Sequence, residues 1–257
     1  GLFYPRDPGE LRAEVEALLA AAEPPAGPAP AALVAPHAGY VYSGPIAAGA
    51  YARLACVRSR IRRVVILGPT HRVAVRGLAL PSARAFATPL GDVEVDREAV
   101  ATLAGLRQVV VSDSAHALEH SLEVQLPFLQ SVLDDFRIVP LAVRDPSAGG
   151  LAGGPGARWG GPEARVVVSS DLSHFHGYAQ AREIDRASAD RILALDGPLD
   201  HEEACGATPI NGLLLCARRR GLAPELIDLR NSGDTAGDRS RVVGYASFAF
   251  AGERAHG

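Results

Sequence analysis

The chain contains no methionine, a single tryptophan and only three cysteines, Cys56, Cys205 and Cys216. So sparse and odd a set excludes the even disulfide framework of a small secreted scaffold and favours a reducing compartment. Long apolar runs are missing too. Nothing approaches the roughly 20 residues of a membrane span, and the N-terminal stretch lacks the apolar centre of a secretory signal. Cytoplasmic residence without a membrane partner is therefore the expectation. Clustered positive charge is also scarce: the net charge is −3, the pI is near 6.3, and the densest run of cations is Arg218-Arg219-Arg220. Nucleic acid is accordingly not an expected partner. The triplet falls where a helix is predicted to end, a place where cations offset the helix dipole.

With 257 residues, 47% hydrophobic and 21% charged, the chain is long enough to bury a substantial core, and one domain over 1–257 is the economical reading. An amphipathic helix is predicted over 9–22 and must stop at the proline-rich EPPAGPAP of 23–30. Five aliphatic runs read as strands: AALVAP (31–36), RVVILGP (63–69), FRIVPLAV (136–143), ARVVVSS (164–170) and RVVGYASFAF (241–250). Helix-length segments lie between or beside them, namely PIAAGAYARL, SLEVQLPFLQSVL, AREIDRASADRILAL and PINGLLLCARRR. This alternation predicts an α/β fold with a mainly parallel central sheet flanked by helices. GDVEVDRE at 91–98, after VRGLALPSARAFATPL, alternates like an antiparallel edge hairpin, and the glycine-rich GGLAGGPGARWGG at 149–161 reads as a loop.

Three of the strands end by delivering a histidine or an aspartate: LVAPH at 33–37, VVILGPTH at 64–71 and VVVSSDLSH at 166–174. In open parallel sheets ligands bind beyond the carboxyl ends of the strands, so His37, His71, Asp171 and His174 are expected at one edge, on rigid mounts suited to a metal or to catalysis. No HExxH or CxxC fixes a metal geometry locally. Cys205, in HEEACGATPI, precedes Thr208-Pro209, which reads as the cap and first turn of the next helix. A thiol there is expected to have its thiolate favoured by the dipole. Cys216, on the apolar face of that helix, reads as core.

PHAGYVYSGPIAAGAY, GPTH, EHSLEVQLPFL, SSDLSHFHGY, ACGATPI and SGDTAGD followed by VVGYASFAF resemble, in order from about residue 1 to 250, the Memo family, whose bacterial members are called AmmeMemoRadiSam system protein B. The resemblance implies a fold like that of the class III extradiol dioxygenases. It implies a metal pocket of two histidines and a cysteine, which fall on His37, His71 and Cys205. His174 corresponds to an acid/base histidine with Asp171 close by, and His120 and Glu123 belong to the matching EHSLE segment. Tyr40 and Tyr42 are candidates for the pocket wall or the core. Iron(II) is the expected cofactor and copper the alternative, because a thiolate in place of the dioxygenases' carboxylate is softer and itself oxidisable.

Three functions fit these residues. One is a metal-dependent redox enzyme acting on a small, aromatic molecule, with His174 moving protons and Asp171 orienting it. Another is a metal- or peptide-binding adaptor without turnover. The third is a hydrolase with Cys205 as nucleophile and His174 as base, which leaves His37 and His71 without a purpose. The family name also implies a pathway link to a radical-SAM protein and an AMMECR-domain protein.

Overall fold

The computed structural model describes residues 1–23, 27–144 and 161–252. The glycine-rich stretch expected to be a loop therefore lies outside the described residues, apart from Gly161. Helix α1 (Pro8–Ala21) starts where Asp7 accepts the N–H groups of Gly9 and Glu10, with Pro8 at its first position, where a missing N–H costs nothing. The chain continues through β1 (Ala32–Ala35), α2 (Tyr40–Ala52), β2 (Arg63–Pro69), β3 (Leu78–Leu80), β4 (Ala85–Thr88), β5 (Gly91–Glu94), α3 (Arg97–Ala104) and β6 (Val109–Val111). Then come α4 (Asp113–His116), α5 (Leu126–Val132), β7 (Arg137–Val143), β8 (Ala164–Ser169), β9 (His174–His176) and α6 (Tyr178–Leu193). Last are α7 (Ala207–Arg220), β10 (Leu222–Asn231), α8 (Ser232–Thr235) and β11 (Val242–Gly252).

The five predicted strands all form. Four of them, in the order β1-β8-β2-β7, make the parallel centre of the sheet. Their unbroken Val/Ile/Leu runs follow from covering on both faces, since neither side of such a strand can afford polarity. Within them Val64, Ile66, Val167 and Ile138 are fully buried, each contributing about 1.5–3 kcal/mol by leaving water. Antiparallel pairs flank this centre, β11 running against β1, β10 against β11 and β3 against β7, while the outermost β6 runs parallel to β3. Helices cover both faces. Along β11, Gly244 lies against Asp185 of α6 and Ser247 near Gly49 of α2, and residues of opposite parity point to opposite sides of a strand.

Two expectations are refined. The hairpin forms as β4-β5, yet it is a separate two-stranded sheet, tied to the main one by a bridge between Val95 and Ile138 and by the Arg137–Glu94 pair. Strand β10 was not foreseen. Its LAPELIDLRN mixes charges and a proline into the pattern, as suits an edge strand whose outer side is unpaired among the described residues. Arg218, Arg219 and Arg220 form the last turn of α7, which closes on Gly221 in the left-handed conformation (φ 63°). Among the described residues no helix is long and apolar enough to cross a membrane.

Candidate metal site

Strands β1, β2 and β8 finish close together, with Ala35 opposite Ser169 and Leu67 opposite Val168. The chain leaving each one turns out at the same sheet edge. This places the His37 and His71 rings 5.2 Å apart. His120 arrives from another direction, on the connection between α4 and α5. Ser121 ties that connection down by donating its hydroxyl to the Pro69 carbonyl at 2.7 Å. Contact this close requires Gly68, because a Cβ there would sit 2.8 Å from Ser121 Oγ and 2.9 Å from Leu122 Cδ2. His120 then stacks on His71 at 4.7 Å, with Phe3 covering its ring at 4.3 Å. One ring nitrogen from each of His37, His71 and His120 lies within 4.8 Å of the other two.

Hydrogen bonds decide which nitrogens are available. The Gln125 amide nitrogen donates to the Pro36 carbonyl and to Ser169 Oγ, while its oxygen accepts from Tyr51. Ser169 gives its only proton to the Ser121 carbonyl at 2.6 Å. His37 Nδ1, 2.7 Å from the same oxygen, must therefore carry a hydrogen and donate it, which leaves the Nε2 lone pair free. Glu119 does the same for His71: it accepts from the His71 backbone N–H at 2.6 Å and lies 2.9 Å from its Nδ1. Burial would raise the Glu119 carboxyl, but the His71 ring and the N–H groups of His71 and Ser121 bring it down to about 2. An ionised carboxylate only accepts, so Nδ1 of His71 is the donor and Nε2 is the nitrogen turned away from Glu119. Burial lowers His37 to about 4 and also lowers His120, so both rings are neutral at pH 7. Neutral imidazoles anchored through their other nitrogen are what a metal ion needs.

Cys205 lies beside this group. Its Sγ is 3.4 Å from His37 Nε2 and accepts the Asp171 N–H at 3.3 Å. Gly206 makes the approach possible: its N–H donates to Ser170 Oγ at 2.9 Å, and a Cβ would lie 2.7 Å from the Ser169 carbonyl. The expectation of a favoured thiolate is overturned, because burial and then the Asp171 carboxylate push the thiol well up. Helix α7 begins at Ala207 with Gly206 as its cap. The hydrolase arrangement loses its base as well, since the imidazole against Cys205 is His37 and not His174. Cys216 is buried, as expected.

Asp171 does not orient His174 by a hydrogen bond. Its Oδ1 accepts the His37 backbone N–H at 2.8 Å and its Oδ2 lies 3.9 Å from His37 Nε2, so it braces the metal-facing loop. His174, on β9, does share a cavity of about 440 Å³ with His120 and Asp171, and Tyr42 is part of its wall. Tyr40 is a core residue: it is 2% exposed, bonds the Val124 carbonyl and packs against Phe128. Glu123 points to the N-terminal segment, accepting from Tyr4 at 2.8 Å.

A family profile described as Memo-like protein matches residues 1–249. The chain belongs to the Memo family. A MEMO1 family protein of Methanothermobacter thermautotrophicus is 37% identical, with 96% of each chain covered, and one of Methanopyrus kandleri is 39% identical over 97% of this chain and 96% of the relative. In fold, this Memo chain is similar to a crystal structure of an uncharacterized protein from Escherichia coli K12, with a TM-score of 0.50 at 15% identity, covering 84% of this chain and 98% of that one.

Residues of this Memo site that escaped the sequence reading are Glu119, Ser169, Gln125 and Phe3. Glu119 and Gln125 flank or lie within the EHSLEVQ segment already singled out, so a polar residue beside a candidate histidine was the available signal. Phe3 had none: it lies 117 positions from His120 along the chain, and only folding brings the rings together.

Proposed function

We propose that His37, His71 and His120 together hold a redox-active metal ion, iron(II) by preference and copper as the alternative, and that the protein is a metal-dependent oxidoreductase acting on a small aromatic molecule. The observation that carries this reading is the trio of ring nitrogens within 4.8 Å, two of them left free by hydrogen bonds at the far side of the ring. Imidazole donors suit iron, copper and zinc, and Cys205 Sγ stands next to His37 as a softer fourth donor. A bound iron or copper would supply electron-transfer and O₂ chemistry that no side chain here can perform. Phe3 shields one face of His120 from water, and Asp171 holds the His37 loop in place. His174, in the wall of the adjoining cavity, is placed to give or take a proton from a molecule bound there.

The test is elemental analysis of protein purified without an affinity tag or added metal. His37→Ala, His71→Ala and His120→Ala should each reduce the metal bound, since each removes a donor. His174→Ala should leave it near the parent level, with nitric oxide still binding a reduced iron site. A site emptied by His174→Ala and full in His71→Ala would overturn the assignment.

A further inference from the structure

The cavity beside the three histidines has a cation at its wall that the metal reading does not use. Arg241 lines it together with His120, Asp171, His174, Tyr42 and Tyr245. Several arginines of this protein are held by carboxylates, as Arg63 is by Asp96 and Arg137 by Glu94. Arg241 makes no ion pair among the described residues and is held differently, its guanidinium 5.1 Å from the centre of the Phe175 ring. An aromatic face positions a guanidinium without cancelling its charge, so the charge remains available to a ligand. Asp238, in the same wall, is occupied within its own turn by the N–H and hydroxyl of Ser240, at 2.9 and 2.8 Å.

Phe175 is itself unusual. It is 63% exposed and has φ 63°, a left-handed conformation that costs an aromatic residue energy. That conformation lies between His174 and His176, which pair with Val243 and Val242 of β11, and it turns the Phe175 ring beneath Arg241. Strain kept next to a cavity-lining residue, His174, with an exposed ring as its result, is accounted for if the ring has a task.

We infer that Arg241 is the anion anchor of this cavity, that Phe175 positions it, and that the ligand is a small single-ring aromatic molecule bearing one carboxylate. This rests on reading the cavity as the substrate site of the proposed oxidoreductase. The volume, about 440 Å³, is at the small end of ligand pockets, and Phe3, Tyr42 and Tyr245 line it with aromatic surface. A planar guanidinium matches a carboxylate through two parallel hydrogen bonds. One guanidinium facing a wall that also holds Asp171 and Asp238 suits a monoanion and disfavours a dianion such as a phosphate ester.

The probes are 4-fluorobenzoate and the neutral isostere 4-fluorobenzamide, titrated into the metal-free protein and followed by fluorine NMR. The benzoate should bind about tenfold more tightly or better, since a hydrogen bond to a charged group contributes about 1.5–3 kcal/mol and 1.4 kcal/mol is tenfold. Arg241→Gln should bring the ratio to one, Arg241→Lys should retain part of it, and Phe175→Leu should reduce it without altering metal content. Equal binding of the two probes by the parent protein, or a preference that survives Arg241→Gln, overturns the proposal. Because the ratio is read without metal, a failed metal assignment leaves it standing, and a ratio of one leaves the metal assignment standing.

Discussion

The two ends of the parallel sheet both carry polar clusters around a cavity, and they differ in what the polar groups do with one another. At the amino end of β2 and β7 lies the larger cavity, about 630 Å³, lined by Arg62, Arg63, Arg137, Glu94, Asp96 and Glu163 among others. Its charges satisfy each other: Arg63 bonds Asp96 at 2.6 Å and Arg137 bonds Glu94 at 3.0 Å. Asp96 also caps α3 through the Ala99 N–H, and although burial raises its carboxyl, that cap and Arg63 hold it below the usual range. At the carboxyl end the cavity is smaller, but burial lowers His37 and His120, and the hydrogen bonds of His37 and His71 run through Nδ1, away from the site. Size does not distinguish a site from a structural cleft here. Unspent lone pairs and an unspent cation do.

The sharpest way to break this contrast is at Glu119. Glu119→Ala removes the acceptor that fixes the His71 ring, and loss of such a partner typically weakens metal binding about 10- to 100-fold. Competition with a chelator of known affinity measures it, and an unchanged affinity would show that the His71 tautomer is set by something else. A smaller effect is expected from pH. His37 titrates at about 4 in the fold against 6.5 when free, so the unfolded chain binds its proton first as pH falls. The stability of the metal-free protein should therefore be full above pH 6.5 and decline as pH drops toward 4, with His120 adding to the slope. Urea denaturation at a series of pH values reads this slope, and His37→Gln should flatten it. The smallest effect belongs to the other end of the sheet. Arg137 and Glu94 are both more than half exposed, so Arg137→Ala should cost no more than about 1 kcal/mol in thermal unfolding and leave metal content unchanged.

Much of this arrangement was legible from residues. All five aliphatic runs became strands, as their short length and their enrichment in β-branched or aromatic residues favour in a buried segment. Where each run ended, His37, His71 and Asp171 followed within a few positions, and a parallel sheet leaves its strand ends no choice but to share an edge. The edge strand β10 was hidden by its own charges. The amphipathic character that protects an exposed edge is also what removes the periodic signal.

What the amino-acid sequence determined by itself was the five aliphatic strands, their ends and two of the three histidines, because those depend on local hydrophobicity and on one rule of parallel sheets. His120, its Glu119 support and the neighbour of Cys205 were decided only in three dimensions. His120 depends on a connection pressed onto Gly68, and Cys205 meets His37 across 168 positions only because Gly206 lacks a Cβ against the end of β8. The same holds for the protonation of the site. A cysteine before a helix reads as an activated thiol in sequence, whereas in the fold the loss of water around Cys205, and then the Asp171 carboxylate, push the thiol up.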